Sequence, residues 1–240
     1  MIRKKKKDPE ISVSVIVPNH GRDITKLIDS IPKSKSIELI VIDEGKERSE
    51  QRNIGIKRAK GQYLLILDSD QYIHPQLIEN CLMLASAGYE TLYIPEIITT
   101  GGWFGEIRAF ERGFFTGTPV DVPRFVKRKG CPLFNPELTG PEDADWGNRL
   151  PKKRATTTLP LYHDDDIDFW GYVKKKVYYN LSMKRYRELW PNDPCIKLSY
   201  RVFKVYIENG KWKLLLKYPF HTFGIIFLLA VRGIIYYGSR

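Results

Sequence analysis

The sequence predicts an α/β fold, a mostly parallel sheet covered by helices. Three observations carry that expectation. Short, mostly apolar runs recur at 11–17, 37–42, 63–67 and 91–94, that over 63–67 unbroken, and each is too short for a helix before turn-forming residues begin. Between them lie stretches with helical apolar spacing, joined by short connections. The runs end in polar punctuation: Pro18-Asn19-His20-Gly21, Asp43-Glu44-Gly45 and Asp68-Ser69-Asp70. Continuous apolar runs suit strands buried on both faces. Their alternation with helices suits a parallel sheet.

Taken in order, a strand over 11–17 is followed by a helix over 24–31 that Pro32 closes. A second strand spans 37–42. The next helix, over 49–59, carries Ile54, Ile56 and Ala59 on its apolar side and stops at Gly61. The strand over 63–67 leads into a helix over 75–87 with Pro75 in its first turn. A fourth strand spans 91–94. Residues 99–117 hold glycines and aromatics (Trp103, Phe104, Phe110, Phe114, Phe115) and read as irregular. A strand over 124–127 returns to the sheet. Gly140-Pro141 then turns into a helix whose early acids, Glu142, Asp143 and Asp145, favour the positive end of its dipole. A strand over 156–161 reaches His163-Asp164-Asp165-Asp166. A basic helix over 169–187 interleaves lysines and arginines with tyrosines.

The 240 residues suffice for one large domain with an appendage. They divide into a basic tail over 1–10, a main domain over 11–200 and a basic, apolar segment over 201–240. The net charge of +11 points to an anionic partner: nucleic acid, an acidic membrane surface or a phosphorylated substrate. Cys81, Cys131 and Cys195 are too few and too far apart for a disulfide framework. The basic run over 3–7 lacks a following apolar core, so it reads as a solvated tail and not as a secretory leader. Residues 218–237 are almost wholly apolar, with tyrosines at both ends and Arg232 placed to snorkel. A span, a helix lying on the bilayer, a re-entrant hairpin and a buried core helix all stay open for this segment.

Asp68 and Asp70 stand two apart at a strand end, so both side chains can converge there. Close carboxylates repel unless a cation sits between them, and hard oxygen ligands suit Mg2+ or Mn2+. A metal-bound phosphate is the ligand this implies.

Val15-Ile16-Val17-Pro18-Asn19, Leu39-Ile40-Val41-Ile42-Asp43-Glu44-Gly45, Arg52-Asn53-Ile54-Gly55, Ala59-Lys60-Gly61-Gln62-Tyr63, Asp68-Ser69-Asp70 and Gly140-Pro141-Glu142-Asp143 form an ordered set. In order and spacing this set resembles the family-2 inverting glycosyltransferases of GT-A fold, over roughly residues 11–185. The resemblance implies that Pro18, Asn19 and Asp43 line a nucleotide pocket, with Arg52 nearby. It implies that Asp68 touches ribose or metal, as the first acid of a DXD motif, and that Asp70 holds the divalent cation. Glu142-Asp143 matches the family's acidic pair, with Asp143 as general base. Arg149 matches a basic position that pairs locally or steers the diphosphate, and His163 matches a later metal or diphosphate ligand. Trp103 and Trp146 are candidates to stack on an acceptor sugar.

The function so implied is metal-dependent transfer of a sugar from a UDP- or GDP-linked donor to a hydroxyl of a lipid-carried glycan. It would take place at the cytoplasmic face of a membrane, in glycan biosynthesis. A polyprenyl-phosphate sugar transferase is the alternative enzyme. A basic membrane- or nucleic-acid-binding module is the non-enzyme alternative, though nucleic acid is not expected as a partner because charge alone supports it. The sequence departs from the family at Glu44 and Lys46, and at Gln71, where many members place a third acid.

Overall fold

The computed structural model describes residues 11–237, so the tail expected over 1–10 lies outside the described residues. Strands β1 (Val13–Pro18), β2 (Ile37–Ile42) and β3 (Tyr63–Ile66) run parallel, with helices α1 (Thr25–Ser30) and α2 (Arg48–Arg58) between them. Then follow β4 (Gln71–Ile73), α3 (Leu77–Ser86), β5 (Thr91–Tyr93), β6 (Glu96–Ile98), α4 (Gly102–Phe115), β7 (Pro123–Lys127), α5 (Glu142–Arg149), β8 (Arg154–Thr156) and β9 (Leu161–His163). The main sheet has the order β2-β1-β3-β7-β5-β8, and only β7 runs against the rest. The fold is thus the expected mixed α/β architecture of GT-A type, with a mostly parallel central sheet covered by helices.

The pleat of β3 explains its continuous apolar run. Leu64 and Ile66 join Ile16, Val126 and Trp146 on one side of the sheet. Leu65 and Leu67 join Val13, Val15 and Val17 on the other. Each such side chain, fully buried, contributes about 1.5–3 kcal/mol. On the first side α2 lies so close to β1 that a Cβ on Gly55 would meet Ile16 Cγ2 at 2.3 Å.

A second, small sheet of order β4-β9-β6 was not expected from the sequence, because three-residue strands are too short to show a period. It divides the strand expected over 156–161: β8 joins the main sheet, and β9 pairs with β4 and β6. The region read as irregular over 99–117 is helix α4. Its aromatics follow a helical period, and Phe104 and Phe114 are buried. The glycines that disguised it have work to do. A Cβ on Gly105 would strike the Thr100 carbonyl at 2.3 Å.

The basic helix expected over 169–187 breaks into α6 (Phe169–Asn180) and α7 (Met183–Leu189). Ser182, at the break, donates from Oγ to Thr139 O at 2.8 Å and accepts from Thr139 N at 2.9 Å. This tie holds α7 against the turn that begins α5. Helices α8 (Val205–Ile207), α9 (Trp212–Lys217) and α10 (Pro219–Tyr237) complete the chain. Helix α10 packs on α4 and α6, with Ile225 against Phe114 and Tyr206, and Leu228 against Phe104 and Tyr172. Arg232 does not snorkel. It is buried and paired with Glu111 of α4 at 2.5 Å, and Tyr206 donates to the same carboxylate at 2.6 Å.

Candidate active site

The carboxyl ends of the three adjacent parallel strands meet in one crevice, the usual ligand edge of such sheets. Pro18 ends β1 and is buried. Asn19 locks the next turn: its Oδ1 accepts from Arg22 N at 3.1 Å, and its Nδ2 donates to Arg22 O at 3.1 Å. Gln51 of α2 donates to the Asn19 carbonyl at 3.1 Å. Asp43, just past β2, is exposed, and its side chain makes no hydrogen bond among the described residues. Asp68 follows β3 in a tight turn, where its N–H donates to Gln71 Oε1 and its carbonyl accepts from Gln71 N, both at 3.0 Å. Gln71, the departure from the family pattern, therefore shapes the acidic turn.

Arg48 and Arg52 are four residues apart on α2 and share one helix face. That face looks at the start of α5. Arg52 is wholly buried, and its two terminal nitrogens each donate at 2.7 Å, one to Asp68 Oδ1 and one to Asp143 Oδ1. Arg124 of β7 takes Asp68 Oδ2 at 3.1 Å and reaches Glu96 Oε2 at 3.5 Å. Glu96 Oε1 faces His163 Nδ1 at 2.8 Å, and His163 Nε2 lies 3.2 Å from Asp70 Oδ1. Arg22 closes the series on Asp70 Oδ2 at 2.9 Å. Acids and bases thus alternate from Asp143 to Arg22 in one continuous chain.

Electrostatics follow this order. Burial alone would raise the Asp68 carboxyl, but Arg124 and Arg52 outweigh it and hold it well below the carboxylate range. Burial opposes the charged form of His163, yet hydrogen bonds to Asp70 and Glu96 push its pKa up to about 9. The Glu142 carboxyl is raised by burial and by the charge of Asp143, only partly offset by Arg48 and Arg52. Its Oε2 is buried and has no hydrogen-bond partner among the described residues.

A divalent cation fits part of this set. Asp70 Oδ1 is buried and faces only His163 Nε2, 3.2 Å away, among the described residues. Glu96 behind His163 is the kind of carboxylate that orients a metal-binding imidazole. The pairing of β9 with β4 creates the arrangement, since His163 stands opposite Gln71 in that ladder. Asp68, expected as a further ligand, has both oxygens engaged by guanidinium groups and is not free to bind metal. No group of three or more His, Cys, Asp or Glu side chains forms a metal cage among the described residues. Asp164 and Asp165 turn away, to Lys26 and Arg108 respectively.

At the start of α5 the two acids diverge. Glu142 is buried and paired with Arg48 at 2.9 Å. Asp143 lines a cavity of about 390 Å³ between the sheet end, α4, α6, α7 and α10. Its second oxygen accepts no hydrogen bond among the described residues.

Three expected site residues are not brought to this place. Arg149 reaches back to Asp145 at 2.5 Å and donates to Leu133 O at 2.8 Å, so its role is local. Trp146 is wholly buried, stacked on Phe134 at 4.4 Å with its N–H donating to Pro132 O, and offers no face to a sugar. Trp103 is exposed at the start of α4 but does not line the cavity. The sequence reading missed Arg22, Arg48, Glu96 and Arg124. Arg48 was legible in principle, one turn before Arg52; nothing local marks the other three.

Residues 15–131 match the family model described as Glycosyl transferase family 2. No curated protein sequence matches the chain. Among solved structures, it is similar to S. aureus TarS 1-349, at 15% identity and a TM-score of 0.48, over 83% of this chain and 79% of that one. TarS 1-349 has also been solved in complex with UDP-GlcNAc. A second likeness is to A197 from STIV, at 18% identity and a TM-score of 0.44, over 65% of this chain and 87% of that one. Against a longer S. aureus TarS chain the identity is 16% and the TM-score 0.46, over 72% of this chain but only 40% of that one.

Proposed function

We propose that this protein is a metal-dependent, inverting glycosyltransferase that moves a sugar from a nucleotide-sugar donor to a hydroxyl of a membrane-linked acceptor. The observation that supports it best is Arg52, which joins the acid at the end of β3 to the acid at the start of α5. Donor-side and base-side carboxylates are thereby one guanidinium apart, with Arg52 and Asp68 inside the family match and Asp143 just beyond its end.

In this reading Asp43 and the loop at Asn19 receive the nucleoside, and Asp70 with His163 holds Mg2+ or Mn2+. Such a cation, when bound, neutralises charge on the departing diphosphate. Two protein donors would suit Mg2+, which is commonly held by one or two side chains together with substrate phosphates. Asp143 takes the proton of the attacking hydroxyl through its unengaged oxygen, while Arg52 fixes the other. Glu142 and Arg48 brace the helix start from behind. Calorimetry with UDP, GDP and their common sugar conjugates, with and without Mn2+, tests the donor half. Metal-dependent binding that weakens at least tenfold in Asp70→Asn is expected. A folded protein that binds no nucleotide would end the enzyme reading.

Membrane association at the cytoplasmic face forms part of the proposal. Helix α10 is long and apolar enough to cross a bilayer, yet one face of it is committed to the protein through Ile225, Leu228 and Arg232. The opposite face exposes Phe220 (87%), Phe223 (70%) and Ile234 (73%). A helix with protein on one side and bare aromatics on the other suits a position in the interface plane. Lys213 and Lys217 beside it would add roughly 1 kcal/mol each on acidic lipid. Changing Phe220, Phe223 and Ile234 together to Ser should therefore release the protein from acidic vesicles in flotation assays without lowering its melting temperature. Retained flotation would overturn the assignment of this face.

A further inference from the structure

The cavity beside Asp143 holds more positive charge than its own acids answer. Arg108, Arg112, Arg124 and Arg232 line it, and each is paired with a carboxylate. Lys175, Lys176 and Arg201 line it too, and none of these three has a carboxylate within ion-pair distance among the described residues. Lys176 is half-buried, with its ammonium over the rings of Tyr172 and Tyr179 at 5.2 and 5.6 Å. Arg201 lies over Phe115 at 5.7 Å. Clustered like charges in a walled cavity are costly unless a ligand supplies the counter-charge. The cost registers on Lys176: burial, then Arg232, Arg201 and Lys175, lower its pKa to about 7. The cavity also has an apolar margin, where Leu198 and Val202 are exposed at 55% and 43%.

We infer that this cavity binds a phosphate ester with an apolar tail, its phosphate group set against Lys175, Lys176 and Arg201 and its tail leaving over Leu198 and Val202. The inference rests on the proposed glycosyl transfer only in making this ligand the lipid carrier of the acceptor sugar. Binding itself needs no donor. Tyr179 links the two sites, since it lines the cavity and its hydroxyl accepts from Arg48 at 3.0 Å, on the guanidinium that holds Glu142.

The test uses the full chain and three probes in calorimetry: decyl phosphate below its micellar concentration, inorganic phosphate, and decyl glucoside as a phosphate-free amphiphile. Decyl phosphate should bind best, and its affinity should fall at least tenfold in Lys175→Gln/Lys176→Gln and decline with added salt. Nucleotide-sugar binding should not change in that variant. Lys176→Met should melt no lower than wild type, because it removes an unanswered charge, and should also lose decyl phosphate. Equal binding of the glucoside, or unchanged decyl phosphate affinity in folded variants, would overturn the site. Inorganic phosphate binding as tightly as the ester would overturn the tail. Ester binding without any nucleotide binding would leave this site standing and remove the transferase reading; the reverse result would do the opposite.

Discussion

Asp143→Asn should lower turnover by about 10²–10⁴-fold, the usual range for removing a general base, and leave donor affinity nearly intact. The amide is isosteric, and its carbonyl can still accept from Arg52 where Asp143 Oδ1 does so at 2.7 Å. The geometry of the crevice therefore survives, while the oxygen that faces the cavity loses its basicity. Glu142 cannot take over the role. It is buried and turned toward Arg48, which holds its carboxylate at 2.9 Å. Steady-state kinetics should thus show the loss in kcat with little change in KM for the donor. Calorimetry on the same variant should return wild-type nucleotide binding. A normal rate would remove Asp143 from the chemistry, and lost donor binding would make it a structural acid.

What the sequence made legible follows the length scale of each signal. The buried strands β1 and β3, the half-buried edge strand β2 and the acids after β2 and β3 could be read because apolar runs and strand-end carboxylates are local facts. The approach of Asp143 to Asp68 was foreseen only through resemblance, and its agent, Arg52, was misjudged. A guanidinium near a nucleotide pocket suggests a phosphate contact, yet Arg52 is spent inside the protein on two carboxylates. Glu96 and Arg124 were invisible because their roles depend on β6 and β7, elements whose partners lie far along the chain. Helix α4 was hidden by its glycines, of which Gly105 makes room for the Thr100 carbonyl. Trp146 illustrates the opposite error: an aromatic beside the Glu142-Asp143 pair turned out to be core, stacked between the sheet and Phe134.

Arg52 is where the largest loss of stability is expected. Its side chain is wholly buried, packs 5.0 Å from the Phe134 ring and answers Asp68 and Asp143 directly, with Glu142 at 3.8 Å. Arg52→Met keeps much of the volume but strands Asp143 and leaves Asp68 and Glu142 with one cation each, Arg124 and Arg48. Removing one partner of a buried ion pair costs about 3–5 kcal/mol, a large share of the roughly 5–15 kcal/mol that holds a domain folded. For a chain of this size that corresponds to a fall of roughly 6–20 °C in melting temperature. Arg52→Lys should recover only part of it, because one ammonium cannot bridge two acids as a planar fork does. The decisive variant neutralises the stranded charges as well. If unanswered charge is the cause, Asp68→Asn and Asp143→Asn added to Arg52→Met should raise the melting temperature again while activity stays absent. Should Arg52→Met melt with the wild type, the crevice would have to be held together by something other than this guanidinium, and the link between the two acidic motifs would lose its physical basis.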